Sequence, residues 1–498
     1  MGEAERWVEL AQRAAAEGDH LLAVQQYERA IALEPQNVSF HLEMGTAHAR
    51  SGAALRALEC FGEALRLDPN CGMAWNNCGN IFLQLNELSS ATNFYRNAAR
   101  LQPSDAGIQY NLGRALDQAG EHEEALGHLL RACELNPMHA DAWTNLGNVH
   151  HNLGHLDEAL ECYDWALPLS ANPAEVHVNR AVILLNQGDF AEGWSEYEAR
   201  WATAAFRAYQ EIPFGRPQWT GEPLAGKRIL LHAEQGFGDA IQFVRFIPEV
   251  VARGGTVFLE VQAPIKALME GLLEPGHVLA RGEARPEFDV HCSLISLPFA
   301  LKLGFEAIPH EPYLRAPLAV REDVRQALDR ATGDGRGLRV GITWRGNPTH
   351  RWNVVRSLKP EQLAPLAAVD GVEWFCLQKD ATAEELARFP LRLAPLDARY
   401  LNGFLSTAAV IEELDLVVSI DTVTAHLTGA LGKPLWLLLP AFYDWRWHSH
   451  LEDSPWYPSA RLFRQGRPGV WDGAMEGLAA ALRELAGKEL VARQASAK

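Results

Sequence analysis

A 34-residue period constrains the first two-fifths of this 498-residue chain more than any other feature. Alanines recur at that spacing at Ala30, Ala64, Ala98, Ala132 and Ala166, and prolines recur at Pro35, Pro69, Pro103 and Pro137. Each period also carries a large residue, a Leu-Gly-like pair and an aromatic at fixed offsets. Small residues let two helices approach closely, and large ones fill the seam between them. The period therefore predicts a stack of helical hairpins.

The units begin near Ala4, Val38, Gly72, Ala106 and Ala140, and a degenerate sixth unit runs from about Ala174 to Trp201. This pattern resembles the tetratricopeptide repeat (TPR). The resemblance implies an N-terminal α-solenoid over residues 1–201, with a concave groove of the kind that binds extended peptides.

Four asparagines also recur every 34 residues on the first helix of successive units, outside the hydrophobic signature. We call Asn77, Asn111, Asn145 and Asn179 the asparagine ladder. An Asn side chain offers both a donor and an acceptor, which suits it to binding the backbone of an extended chain. The alternative is that these amides bond neighbouring repeats to each other. The peptide-binding interpretation resembles the superhelical domain of protein O-linked N-acetylglucosamine transferases.

The 34-residue period ends before a Pro- and Gly-containing connector at residues 202–227, which includes Pro213, Pro217 and Pro223. A different sequence pattern follows it. Apolar runs alternate with helix-like segments, which is typical of parallel sheets. The runs are Arg228–His232, Thr256–Val261, Leu338–Thr343, Val372–Leu377, Leu416–Ile420 and Leu435–Leu439. A charged and Gly-rich stretch at residues 320–337 divides them into two groups. The simplest architecture is two facing Rossmann-like domains, residues 228–325 and 326–498, with a ligand cleft at the carboxyl ends of the strands.

The first strand leads into Gly236, Gly238 and Asp239, followed by a predicted helix from Ala240 to Arg253. The glycines permit a tight turn close to a ligand. Asp239 would then be a carboxylate at the cleft, placed to take a proton from an acceptor hydroxyl. The alternative is a plain strand-to-helix turn in which Asp239 caps the helix.

The segment from Asp421 to His426 follows a buried strand and opens a helix; it comprises Asp421, Thr422, Val423, Thr424, Ala425 and His426. Backbone N–H groups at a helix start, together with threonine hydroxyls, stabilise an anionic phosphate. Such donors can neutralise a departing nucleotide without a metal ion. The sequence has no D-x-D metal-binding triplet, so no metal or other cofactor is expected.

These two loops, with Val340–Asn347 and residues 377–379, resemble the catalytic domain of bacterial TPR glycosyltransferases, which is similar to the ADP-heptose lipopolysaccharide heptosyltransferases of GT-B fold. The resemblance covers residues 217–467. It implies that Asp239 is the base and that Asp421, Thr422, Thr424 and His426 hold the donor. It also places further candidates at the donor cleft, namely Trp344, Arg345, Asn347, Arg356, Gln378 and Lys379. Lys379 could equally be an exposed lysine at a strand end. The aromatics between Asp444 and Pro458 either hold the base or pack the crossing of the final helix.

The combination predicts a metal-independent inverting glycosyltransferase with a protein acceptor in the TPR groove, and flagellin is the first candidate acceptor. A glycan-modifying enzyme of the heptosyltransferase type and a catalytically idle TPR scaffold are the alternatives. The residues leave the donor open among ADP-heptose, a UDP-hexosamine and a CMP-nonulosonate. Self-association through the solenoid also stays open.

Composition and charge limit the partners and the cellular compartment that we expect for this chain. A formal charge of -18 argues against a nucleic-acid partner, which needs a concentrated basic face. No signal peptide and no run of 18 or more apolar residues is found, so we expect a cytoplasmic protein without a membrane span. The seven scattered cysteines indicate reduced packing residues. The histidine pairs at 150–151 and at 448 and 450 lack further ligands at a metal-binding spacing.

Overall fold

The computed structural model describes residues 2–206, 214–332, 337–348, 353–441, 443–448 and 451–496. Pro213 and His450 lie outside the described residues. The chain separates into two compact units, Met1–Arg180 and Ala181–Lys498. The boundary falls inside one helix, and the predicted end of the repeat array at residue 201 lies within the second unit.

The first unit is a solenoid of antiparallel helix pairs, which confirms the predicted repeats. Its helices are α1 (Glu3–Ala16), α2 (His20–Leu33), α3 (Val38–Arg50), α4 (Ala54–Leu67), α5 (Gly72–Gln84), α6 (Leu88–Leu101), α7 (Ala106–Gln118), α8 (His122–Leu135), α9 (Ala140–Asn152), α10 (Leu156–Ala166) and the first part of α11 (Pro173–Gln187). A short 3₁₀ turn, Leu167–Leu169, follows α10.

A glycine in each of four hairpins, from α3–α4 to α9–α10, explains why the two helices of those repeats can touch. A Cβ atom added to Gly45, Gly79, Gly113 or Gly147 would lie 2.5, 2.7, 2.6 or 2.5 Å from the side chain that stands sixteen positions later. Those partners are Phe61, Tyr95, Leu129 and Tyr163, all buried. Because real Cβ atoms do not approach carbon so closely, the glycine is a steric requirement of the hairpin.

A second repeated contact fixes the turn between repeats. A polar nitrogen near the start of the first helix of a unit bonds to the carbonyl of the proline six residues earlier. Trp75 and Trp143 donate their indole N–H at 2.9 Å, Gln109 donates at 3.1 Å, and His41 lies at 3.0 Å from Pro35 O. The recurring proline is therefore an acceptor as well as a helix stop.

The second unit is an α/β assembly with two parallel sheets. The first sheet has the order β3-β2-β1-β4, and the second has the order β6-β5-β7-β8-β9. The strands are β1 (Arg228–His232), β2 (Thr256–Val261), β3 (Val278–Ala280), β4 (Val290–Ser293), β5 (Leu338–Ile342), β6 (Val372–Cys376), β7 (Leu416–Ile420), β8 (Leu435–Leu439) and β9 (Ala460–Arg464). Every strand pairing is parallel.

Helices connect these strands. They are the end of α11, α12 (Phe190–Tyr197), α13 (Phe237–Phe243), α14 (Ile247–Val251), α15 (Ala263–Met269), α16 (Leu297–Leu301), α17 (Leu318–Thr332), α18 (Asn353–Arg356), α19 (Ala383–Ala387), α20 (Phe404–Glu412), α21 (Val423–Ala430) and α22 (Asp472–Ser496). Strands β7 and β8 are buried at all five positions, as expected for strands covered on both faces.

The predicted helix from Ala240 to Arg253 is not one helix. It begins earlier, at Phe237, and is interrupted by a 3₁₀ turn at Val244–Phe246 before α14. Pro248 lacks the N–H that a continuous helix would need, and it sits in the first turn of α14, where that group is not required.

The strand orders fix where a ligand would bind. The chain leaves β1 toward β2 on one side and places β4 on the other, and it leaves β5 toward β6 while β7 lies opposite. In parallel sheets, the crevice outside the carboxyl ends of the strands at such a reversal is where ligands bind. The loops after β1, β5 and β7 occupy these positions. Among the described residues, no helix is long and apolar enough to cross a membrane.

Candidate active site

The loop after β7 ends in a helix start with free donors. Thr422 is the N-cap of α21, and its carbonyl accepts from Ala425 N at 3.0 Å and His426 N at 3.4 Å. Within the described part of the chain, the N–H groups of Val423 and Thr424 donate to no protein acceptor. The Thr422 hydroxyl lies 3.3 Å from Ser419 Oγ, which anchors it to the end of the strand. A helix start with free N–H groups and a neighbouring hydroxyl is an arrangement that can bind an anion.

The loop after β1 carries the candidate base. Gly236 caps α13, and its N–H donates to Asp239 Oδ2 at 2.9 Å, so Asp239 does close the helix start as a capping residue would. Its side chain is nevertheless 22% exposed. Burial raises the pKa of Asp239, and the charge of Arg446 opposes that rise.

Arg446 follows a strand of the second sheet and binds Asp239, which follows a strand of the first sheet. Its Nη2 donates to Asp239 Oδ1 at 2.7 Å, its Nη1 to Asp444 Oδ1 at 2.8 Å and its Nε to Gln242 Oε1 at 2.6 Å. The guanidinium lies 4.3 Å from the ring centroid of Trp445. Arg446 belongs to the 3₁₀ turn Trp445–Trp447 that follows β8, so it joins the loop after β1 in the first sheet to the second sheet.

The two helix starts touch each other. A Cβ atom at Gly238 would lie 2.8 Å from His426 Cδ2, so only glycine allows α13 to approach α21 this closely. His426 is buried, stacks on Trp447 and bonds through Nδ1 to the Tyr457 hydroxyl at 3.0 Å. Burial lowers the pKa of His426 to about 3, so the ring is neutral and works as a hydrogen-bonding and packing group.

A second carboxylate, that of Asp421, directly precedes Thr422 in the chain. Burial, with the nearby charge of Asp444, raises the pKa of Asp421 to about 6. Arg356 donates from Nη1 to the Asp421 carbonyl at 2.9 Å. Arg356 therefore lies beside the Asp421–Thr422 turn, where a cation would help to balance a bound phosphate.

Several side chains predicted to line the donor cleft have other partners. Trp344 is fully buried in the core of the second sheet and packs on Phe389, so its ring does not face a cleft; its apolar size outweighs its position after β5. Arg345 pairs with Asp380 at 2.8 Å and Glu385 at 2.9 Å. Gln378 is buried, accepts from Arg345 N at 3.1 Å and donates to Asp380 at 2.6 Å. These contacts hold the loops after β5 and β6 together.

Asn347 and Lys379 stay at the surface. Asn347 is exposed in the loop after β5, and Lys379 is exposed in the loop after β6. Within the described residues Lys379 makes no ion pair or hydrogen bond, which fits either a phosphate contact or the alternative of a solvated lysine.

The asparagine ladder is half-buried, and three of its amides donate to the preceding repeat. Asn111 donates to Asn76 Oδ1 at 3.0 Å, Asn145 to the Tyr110 hydroxyl at 3.4 Å and Asn179 to Asn148 Oδ1 at 3.0 Å. The contacts correspond to the inter-repeat alternative. In the described part of the first unit, the Oδ1 atoms of these three residues accept no hydrogen bond, so each could still accept one from a peptide N–H.

One group near the site carried no sequence signal. Arg200 is buried and pairs with Glu234 at 2.9 Å and Glu198 at 2.7 Å, and it donates to Ser296 at 2.7 Å. Glu234 also accepts from Ser293 at 2.5 Å. Burial raises the pKa of Glu234 and Arg200 opposes it. The cluster connects the 3₁₀ turn Glu198–Ala202 to the end of β4 and to Glu234, which lies in the loop after β1 that also carries Asp239.

Comparison with known protein families identifies tetratricopeptide repeats in the N-terminal part of the chain. Residues 8–59 and 140–172 match the tetratricopeptide repeat, and residues 79–120 and 113–154 match the TPR repeat. The chain is 30% identical to protein FlbA of Caulobacter vibrioides over 333 residues, which is 62% of this chain and 54% of FlbA. It thus spans about half the length of the curated relative that it matches.

The similar solved structures include TPR proteins. YrrB, described as a TPR protein with an unusual peptide-binding site, is 21% identical with a TM-score of 0.33 and covers 36% of this chain and 94% of its own. MamA from Desulfovibrio magneticus is 25% identical, with a TM-score of 0.31 and coverages of 34% and 96%. PilF of Pseudomonas aeruginosa is 15% identical, with a TM-score of 0.38 and coverages of 42% and 96%. The N-terminal part of this chain is a tetratricopeptide-repeat solenoid, followed by an α/β region with parallel sheets.

Proposed function

We propose that the second unit is a metal-independent inverting glycosyltransferase of GT-B layout that transfers a sugar from a nucleotide donor to a Ser or Thr hydroxyl of a protein. One observation carries the proposal. Two helix starts meet at the carboxyl ends of two parallel sheets; one presents a carboxylate, Asp239, and the other presents the free N–H groups of Val423 and Thr424.

The starts of α13 and α21 would have different roles in the reaction. The acceptor oxygen forms a bond to the anomeric carbon while its proton passes to Asp239. The bond between that carbon and the phosphate oxygen breaks, and the electron pair leaves with the nucleotide. The N–H groups of Val423 and Thr424, with the Thr422 hydroxyl, would stabilise that charge, and Arg356 would add a positive charge beside them.

Donor turnover tests this assignment. Purified protein is incubated with ADP-heptose, UDP-hexosamines and CMP-nonulosonates, and nucleotide release is measured. We expect one donor to turn over, and Asp239→Asn and Thr422→Val to lower the rate by a factor on the order of 10² or more. Thr332→Val is the matched control, because among the described residues the Thr332 hydroxyl donates to Leu328 O within its own helix α17, at 3.1 Å. Equal rates in all variants would reject the assigned roles.

The acceptor is proposed to be a protein held by the solenoid, and flagellin is the first to test. Support comes from the TPR repeats and from the Oδ1 atoms of Asn111, Asn145 and Asn179, which accept no hydrogen bond in the described part of the first unit. Intact mass of flagellin co-expressed with this chain should increase by one sugar, and the increase should vanish in Asp239→Asn. A mass increase on a cell-surface glycan instead would favour the heptosyltransferase-like alternative.

The scaffold alternative rests on the repeats alone, since TPR solenoids commonly bind proteins without catalysis. It predicts no turnover with any donor but retained binding of a protein partner. The donor panel therefore distinguishes an enzyme from a scaffold.

A further inference from the structure

We propose that Arg446 is the positioning residue of this site, holding the Asp239 carboxylate ionised and aimed while it connects the two sheets. The inference rests on the proposed function for its catalytic meaning, and on geometry for the contact itself. Arg446 lies 207 positions after Asp239 in the chain, yet its Nη2 is 2.7 Å from Asp239 Oδ1.

The contact fixes the carboxylate at both oxygens. Oδ2 accepts from Gly236 N at 2.9 Å, and Oδ1 accepts from Arg446. Each oxygen keeps a further lone pair, so the carboxylate can still accept the proton of a hydroxyl. A carboxylate held in this way loses little freedom when the acceptor arrives.

Arg446 also binds α13 at a second point. Its Nε donates to Gln242 Oε1 at 2.6 Å, one helical turn beyond Asp239. The guanidinium side chain is only 8% exposed and stacks between Trp445 and Phe243, so it has little freedom to change rotamer. Two contacts on one helix and a third on Asp444 orient α13 against the second sheet.

The charges near Asp239 determine whether its pKa rises or falls when Arg446 is replaced. Burial destabilises the ionised carboxylate, and the adjacent guanidinium is the group that offsets this. The other ionisable groups that interact with Arg446 are Asp444, Asp421, His426, Tyr197 and Tyr457. Asp444 would raise the pKa of Asp239 further if Arg446 were removed, since it would then be an uncompensated like charge.

The test uses the full-length chain labelled with [13Cγ]aspartate, with the Asp239 signal assigned by its loss in Asp239→Asn. Titration of Arg446→Gln should show the Asp239 pKa raised by about 1 unit or more over wild type. Arg446→Lys keeps the charge without the three-way contact and should give a smaller shift. An unchanged Asp239 pKa in both variants would overturn the proposal.

Arg464→Gln is the matched control. Arg464 holds the same loop by donating to the carbonyls of Trp447 at 2.7 Å and Leu451 at 2.6 Å, and it pairs with no carboxylate among the described residues. If the effect of Arg446 were only to stabilise the loop, Arg464→Gln would shift the Asp239 pKa equally, and that result would also overturn the proposal.

Activity separates this inference from the proposed function. Where a donor turns over, the acid limb of the kcat/KM profile should move upward in Arg446→Gln by the same shift as the carboxyl titration, and it should stay in place in Arg464→Gln. Absence of turnover in wild type would reject the proposed function, while the carboxyl titration would still decide the role of Arg446.

Discussion

Replacing Gly147 with alanine should destabilise the solenoid, although alanine is the better helix former. A Cβ atom at residue 147 would lie 2.5 Å from Tyr163 Cε1 and 2.8 Å from its Cδ1. The ring cannot easily yield, because Tyr163 is buried and its hydroxyl donates to Asn148 Oδ1 at 2.8 Å. Helices α9 and α10 would have to separate.

Two opposing terms set the magnitude. Overpacking a well-packed core costs about 1 to 3 kcal/mol. The gain in helix propensity from glycine to alanine is at most about 1 kcal/mol. Because the clash is with a locked ring, the upper part of the first range applies, and we expect a net loss of about 1 to 2 kcal/mol. For a unit of this size the melting temperature should fall by roughly 2 to 8 °C.

Gly127→Ala is the matched control, since it makes the same substitution on an exposed face of α8. No atom lies within 4 Å of the added Cβ there, so only the propensity gain remains. We expect Gly127→Ala to stabilise by about 0.5 to 1 kcal/mol. Thermal and guanidinium unfolding followed by circular dichroism at about 222 nm compare the two. A stability gain of the same size in both variants would refute the steric argument.

Three further predictions follow from the contacts described above. Alanine at three ladder positions should weaken protein modification and leave donor turnover intact, and equal loss of both activities would remove the peptide-groove hypothesis; the positions are Asn111, Asn145 and Asn179. Because the folded pKa of His426 is about 3 against 6.5 in the unfolded chain, the unfolded state binds more protons between these values, and this contribution to stability is lost as pH falls below 6.5. His426→Gln should therefore gain stability relative to wild type by up to about 1.4 kcal/mol per pH unit between pH 6.5 and 5, measured by urea unfolding, and an unchanged difference would contradict a buried neutral ring. Arg200→Met should destabilise by about 3 to 5 kcal/mol because Glu234 stays buried without its cation, and Glu234→Gln in the same chain should restore part of that loss; a change below 1 kcal/mol in urea unfolding would argue against the pair.

The repeats could be predicted from sequence because their signal is local and periodic. The predicted unit starts at Val38, Gly72, Ala106 and Ala140 are also the first residues of α3, α5, α7 and α9. The glycine contact recurs in four hairpins and the proline contact in four turns, so the period itself carries much of the packing information. The buried central strands could also be predicted from the sequence, since β7 and β8 lie in continuous apolar runs.

Short edge strands gave no such signal. Strand β3 has three residues and β4 has four, two of them polar, so neither forms an apolar run. Their pairing depends on β1 and β2, which precede them in the chain. Strand β9 has arginine at two of its five positions, so it too forms no continuous apolar run.

The sequence predicts part of the candidate active site. Asp239 and the Thr422 loop follow strands at the chain reversals, which sequence pattern can locate. The partners of these residues cannot be found in this way: Arg446 lies within a Trp-rich loop far along the chain, and its contact with Asp239 exists only in the tertiary structure. The same holds for Trp344, whose position after β5 suggested a ligand contact while its apolar surface placed it in the core.

Nucleotide binding tests the central claim most directly, because it does not depend on knowing the acceptor or the sugar. Isothermal titration calorimetry with ADP, UDP, GDP and CMP should find one nucleotide that binds the wild-type chain. Thr422→Val and Arg356→Gln should each weaken that binding by roughly tenfold, which is the loss of about 1.4 kcal/mol expected for one charge-assisted contact, while Thr332→Val should leave it unchanged. Absence of binding by all four nucleotides at millimolar concentration, or equal binding by every variant, would contradict a donor site at the start of α21.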